Sequence, residues 1–232
     1  MDKPIEYEVK IRQSPEFALR ELSAHFDYNN AVWRTLQRLA KTLDEAGISY
    51  MLVGAMALNQ HGYERATTDV DLIMTVAGLA QFREQFLGRG YRPQFDGAQK
   101  TFRDTDTQVR IEVIVSGGFP GDGKPKPVSF PHPDEAILLK NVRVVPFEKL
   151  IELKLASGLS AAHRLTDLGD IQKMIRALDL PLALADKLDA SVRTEYARLW
   201  HTINDAADPY DEEAQFKRAK RDQQKPGDLT NE

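Results

Sequence analysis

Between Ile48 and Thr75 the chain carries two short β-rich runs separated by a glycine turn and a helix too brief to stand alone. Ile48 to Val53 is the first run and stops at Gly54. Met56 to Gln60 has room for a short helix, ended by His61–Gly62, and Val70 to Thr75 is the second run. Side chains alternate along a strand, so Asp69 and Asp71 are predicted on one face. A strand–turn–helix–strand unit of this kind must sit in a larger sheet with a buried core. A chain of 232 residues can bury one such core and a small helical annex.

The rest of the sequence supplies both parts. Ser14 followed by Pro15 opens a helix to Phe26, and apolar residues at three- and four-residue steps predict a second from Asn30 to Ala46, ended by Gly47. Leu79 to Leu87 is a short helix. Tyr91 to Gln94, Lys100 to Arg103, Val109 to Val115 and Val142 to Val145 are further strands. Residues 117–133 hold four glycines and five prolines and read as a long turn-rich surface connection; the alternative is that Lys124 and Lys126 clamp a polyanionic acceptor. After Pro146 the pattern is helical: Phe147 to Ala156, Leu165 to Ala177 and Leu182 to Ile203. The expected fold is α/β (α+β), a mixed sheet flanked by helices with a C-terminal helical part. Its expected divisions are an N-terminal helical extension at 1–28, a core at 29–146, a helical region at 147–205 and a mobile charged tail at 206–232.

Composition narrows the chemistry by exclusion. No apolar run is long enough to span a membrane, and Met1 to Arg12 has no hydrophobic signal core, so a cytoplasmic protein is expected. The absence of cysteine excludes disulfides, thiolate zinc sites and cysteine nucleophiles. The five histidines are scattered without ligand spacing, which argues against zinc. A net charge of −4 argues against binding held by charge alone, and no stable duplex DNA complex is expected.

What remains is oxygen chemistry. Two carboxylates side by side on a strand need a compensating cation, and hard oxygen donors at this spacing suit Mg²⁺, with Mn²⁺ as an alternative. Glu112 lies in the apolar run Val109 to Val115 with Ile111 and Val113 facing away. It joins the carboxylate face if the two strands are neighbours, and otherwise pairs with Arg110 or Arg103. The small residues Gly54 and Ala55 leave backbone N–H groups open to a phosphate.

These residues resemble the nucleotidyltransferase superfamily, with its glycine turn, short helix, Asp-x-Asp strand and later third acid. Thirteen residues, Met56 to Thr68, separate turn from Asp pair, and with His61-Gly62, Arg65 and Thr67 among them the stretch looks like the AbiEii-type branch, which includes toxins of toxin–antitoxin systems. Leu150 to Ser157, followed by Arg164-Leu-Thr-Asp167-Leu-Gly-Asp170, is similar to that branch's helical motif. Ala55 and Thr166 depart from the residues common at those places. The resemblance implies an enzyme that moves NMP from an NTP to an acceptor hydroxyl or phosphate. Asp69, Asp71 and Glu112 would hold the metal, and Lys154 would act on the pyrophosphate. Gly54, Ala55, Arg65, Thr68, Arg164 and Asp167 would contact the nucleotide. It further implies tRNA as an acceptor and an antitoxin protein as a partner. A small molecule or a protein as acceptor, or an NTP-binding module without turnover, are the alternatives. An ordinary helix-face charge network remains the other reading of Arg164, Asp167 and Asp170.

Overall fold

A computed structural model describes residues 4–205 and 216, so the charged tail lies almost wholly outside the described residues. Seven strands form one mixed sheet in the order β3-β4-β5-β2-β1-β7-β6. They are β1 (Tyr50–Val53), β2 (Asp69–Met74), β3 (Tyr91–Pro93), β4 (Thr101–Asp104), β5 (Arg110–Val115), β6 (Ile137–Leu139) and β7 (Val142–Val144). β2 runs antiparallel to β1 and parallel to β5, and β1 runs parallel to β7. The α/β expectation holds: a mixed sheet carries helices, and a helical C-terminal part follows it.

Around the sheet lie α1 (Tyr7–Gln13), α2 (Pro15–Phe26), α3 (Ala31–Glu45), α4 (Gly54–Gln60), α5 (Val76–Phe86), α6 (Phe147–Ser160), α7 (Leu165–Ala177) and α8 (Ala190–Asp205). Local chemistry sets several of the boundaries. Ser14 and Asn30 cap α2 and α3 by accepting from the N–H groups of Phe17 and Trp33 at 3.2 and 3.0 Å. Every residue of β1 is buried, as a strand covered on both faces must be. Alternation on β2 buries Val70 and Leu72 while Asp69 and Asp71 stay half-buried on the opposite face. A single apolar cluster runs from the sheet into the C-terminal helices, through Ile151, Leu155, Ile171, Met174, Tyr196 and Leu199.

Three elements differ from the sequence expectation. The helix expected from Leu182 to Ile203 is two pieces, a 3-10 helix at Leu182–Lys187 and then α8. Asp189 breaks it: its carboxylate accepts from the N–H and hydroxyl of Ser191 at 2.9 and 2.6 Å, which caps a new helix rather than continuing the old one. The edge strand β6 and the helix α1 have no counterpart in the predicted elements. α1 is held by tertiary contacts: the fully buried Arg103 donates to Glu6 at 3.0 Å and to both carboxylate oxygens of Glu8.

Candidate active site

Asp71 of β2 lies opposite Glu112 of β5, and Asp69 opposite Arg110, in the parallel register of these two strands. Paired residues on neighbouring strands share a face, so three carboxylates and one guanidinium meet on one side of the sheet. They line a cavity of about 340 Å³ with Gly54, Lys154, Ser157, Arg164 and Asp167, and Ile114, Phe130, Leu150 and Leu153 form an apolar wall.

Gly54 begins α4 with φ +70°, a conformation that costs side-chain-bearing residues about 1–2 kcal/mol. A Cβ there would stand 2.2 Å from Asp71 Oδ2. The space that glycine opens at this turn is therefore taken by the Asp71 carboxylate. Asp71 itself makes no hydrogen bond or ion pair among the described residues. Burial, then the charges of Asp69 and Glu112, push its carboxyl up to about 8, against the weaker pull of Arg110 and Lys154. Asp69 is better served. It accepts from the Thr67 hydroxyl at 2.6 Å and from Arg110 Nη2 at 2.6 Å, and the same nitrogen lies 3.7 Å from Glu112.

The opposite wall comes from α6 and α7. Their backbones approach closely at Gly158, where a Cβ would come within 2.5 Å of Leu168. That approach brings Lys154 Nζ to 3.0 Å from Asp167 and 2.7 Å from Asp170, and lets the Ser157 hydroxyl donate to Asp167 at 2.7 Å. Lys154 is buried, whereas a lysine on a helix ordinarily faces solvent. Asp167 and Asp170 form a charge network, and it is interior and centred on that lysine.

Of the residues singled out in the sequence, the fold gathers Gly54, Asp69, Asp71, Glu112, Lys154, Arg164 and Asp167 at this cavity. It places three elsewhere. Thr68 is exposed. Ala55 is buried in the first turn of α4. Arg65 does not line the cavity: its Nη1 donates to Asp170 at 2.5 Å, and the buried Asn59 holds its backbone through two hydrogen bonds at 2.9 and 2.8 Å. Lys126 is a structural tie that donates to Pro120 O at 2.6 Å and Ser160 Oγ at 3.0 Å, while Lys124 is exposed. The cavity residue that sequence reasoning undervalued is Arg110. Alternation had already put it on the face of Glu112.

Asp69, Asp71 and Glu112 are hard oxygen donors of the kind a divalent cation takes, and all three face the cavity. Among the described residues no group of three or more His, Cys, Asp or Glu side chains stands in a metal-holding arrangement. Arg110 occupies Asp69 instead.

No protein-family model and no curated protein matches the sequence. Among solved structures, the chain is similar to a candidate nucleotidyltransferase from H. pylori, at 18% identity and a TM-score of 0.40 over 84% of this chain and 96% of that one. JHP933 from Helicobacter pylori gives 18% and 0.40 over 82% and 92%. ANT(2″)-Ia in complex with adenylyl-2″-tobramycin gives 13% and 0.36 over 82% and 97%. Likenesses of this size carry no weight for the chemistry, which the residues of the cavity decide. No helix among the described residues is long and apolar enough to cross a membrane.

Proposed function

We propose that this chain is a nucleotidyltransferase that moves NMP from an NTP to an acceptor hydroxyl or phosphate. The observation that carries the reading is the placement of Asp69, Asp71 and Glu112 on one face of β2 and β5, across a cavity from the buried Lys154. In this reading Asp69, Asp71 and Glu112 would hold Mg²⁺, or Mn²⁺ in its place, which would supply charge neutralisation at the phosphates. The acceptor oxygen bonds to the α-phosphorus as the bond to the β-phosphate's bridging oxygen breaks. Pyrophosphate leaves, and a hydroxyl acceptor gives its proton to the carboxylate cluster. Lys154 and Arg164, on the far wall, face the departing charge. Lys154 meets pyrophosphate while still held by Asp167 and Asp170, so its direction is fixed before the substrate arrives. The apolar wall at Ile114, Phe130, Leu150 and Leu153 offers a surface for the nucleobase.

The finer assignments rest on the motif resemblance. They are tRNA as acceptor and a toxin role with an antitoxin partner, as in the AbiEii-type branch. Arg65 and Thr68 as nucleotide contacts rest on the same resemblance and receive no support from the cavity. A second reading has one observation in its favour: Arg110 already neutralises Asp69, as in a nucleotide-binding module without turnover.

Incubation with each α-labelled NTP, Mg²⁺ and total cellular RNA tests the proposal. Label transfer by the wild-type chain and none by a folded Asp71→Asn variant is the expected result. Equal transfer by both proteins refutes the site. Magnesium-dependent NTP binding without pyrophosphate release supports the module instead.

A further inference from the structure

We infer that Arg110 is a tethered cation that holds the place of the divalent ion, and that it weakens ion binding by competing for Asp69 and Glu112. The inference rests on the metal-site reading above and adds a role that reading does not contain. Parallel pairing of β2 with β5 fixes Arg110 opposite Asp69, one alternation step from Glu112. The guanidinium engages Asp69 through a charge-assisted bond at 2.6 Å and reaches toward Glu112 at 3.7 Å, so it sits on two of the three oxygen donors that an ion would need. Asp71, the third donor, has no such partner.

The arginine can also leave. Its side chain is 39% exposed, unlike that of Arg103, which is fully buried against Glu6 and Glu8. Arg110 pairs with Arg103 across β4 and β5, and its charge is felt at Glu8 of α1, whose carboxylate Arg103 already holds. An ion that takes Asp69 and Glu112 must displace the guanidinium, and the energy of that displacement is subtracted from its binding. The metal-free protein meanwhile avoids three uncompensated carboxylates on one face.

The test measures Mn²⁺ binding directly, by titration calorimetry and by the loss of the free-ion electron paramagnetic resonance signal, with no substrate present. Wild type, Arg110→Met, Arg110→Gln and Arg110→Lys are compared in the full chain, with circular dichroism as the check on folding. Arg110→Met and Arg110→Gln are expected to bind Mn²⁺ about tenfold more tightly, the effect of removing a competing charge-assisted contact, while Arg110→Lys stays near wild type. Tightening of more than about twofold in either neutral variant supports the inference, since smaller changes fall within the scatter of single substitutions. A smaller change, or weaker binding, in every folded neutral variant overturns it. Equal binding by wild type and variants overturns this inference alone. Absence of Mn²⁺ binding in all four proteins overturns the metal site as well.

Discussion

Gly54 is the position where the local backbone and the candidate site depend on the same missing atom. Gly54→Ala imposes two separable costs. The first is conformational: alanine at φ +70° loses about 1–2 kcal/mol. The second is steric, because the new Cβ would lie 2.2 Å from Asp71 Oδ2, 3.1 Å from its Cγ and 3.2 Å from its Cβ. The carboxylate can rotate away, at a cost of about 1–1.5 kcal/mol for leaving its rotamer. Restricting the unfolded chain returns about 0.5–1 kcal/mol. The net expectation is a loss of about 1–3 kcal/mol, read as a lower urea midpoint at unchanged slope. A double-mutant cycle separates the two costs. In an Asp71→Ala background the carboxylate is gone, so Gly54→Ala should retain only its conformational cost, leaving a coupling of about 1 kcal/mol. A coupling below about 0.5 kcal/mol, the usual scatter for independent sites, would refute the close approach of Gly54 to Asp71. Nucleotide transfer should fall far more than stability in Gly54→Ala, because relief of the clash moves the carboxylate itself.

Three further outcomes follow from other contacts. Burial opposes the charge of Glu8, but hydrogen bonds from Arg103 and from its own backbone N–H, together with the charge of Arg103, outweigh it and hold the carboxyl below its ordinary value. The stability this contributes is complete above the unfolded-state pKa and is lost as pH falls through the lower folded-state value, so Glu8→Gln should flatten the acid limb of a thermal-midpoint titration. Gly158→Ala gains about 1 kcal/mol of helix propensity but drives a methyl to 2.5 Å from Leu168, for a net loss of about 1–2 kcal/mol by urea unfolding that Leu168→Ala should rescue. Lys154→Met leaves Asp167 and Asp170 without their shared cation and should cost about 3 kcal/mol in the same assay, with partial recovery on adding Asp167→Asn.

Local signals in the sequence were readable wherever the physics was local. Ser14, Asn30 and Gly47 mark helix ends through capping and backbone geometry, and the alternation around Val70 puts Asp69 and Asp71 on one face before any fold is known. The face of Glu112 was equally legible, but its partner strand was not. Pairing of β2 with β5 crosses about forty residues, and nothing in either strand names the other. The helix α1 escaped for a related reason: a fully buried arginine about ninety residues away holds it, and a seven-residue helix is not stable by periodicity alone. The edge strand β6 has only three residues, exposed or half-buried, and so lacks an alternating pattern. Lys154 was legible as a lysine on a helix. Its burial depends on α7 crossing α6 at Gly158, a contact between segments whose individual patterns do not predict their crossing.

Arg65 shows how placement changes the meaning of a residue. From its position near the Asp pair it reads as a phosphate contact, yet it joins the sheet side of the molecule to α7 through Asp170, the same carboxylate that holds Lys154. The candidate acids ride on strands, and the candidate cations on α6 and on the turn that leads into α7, so relative movement of the two supports would spoil their alignment across the cavity. An arginine that spans them acts as a brace. Arg65→Met is then expected to cost about 1 kcal/mol of stability, a modest figure because its side chain is 38% exposed. It should lower kcat through a less well-directed Lys154 and leave the KM for NTP within about twofold. A residue that binds phosphate would behave differently, with KM rising about tenfold at unchanged stability. That outcome would return Arg65 to the nucleotide and refute the brace.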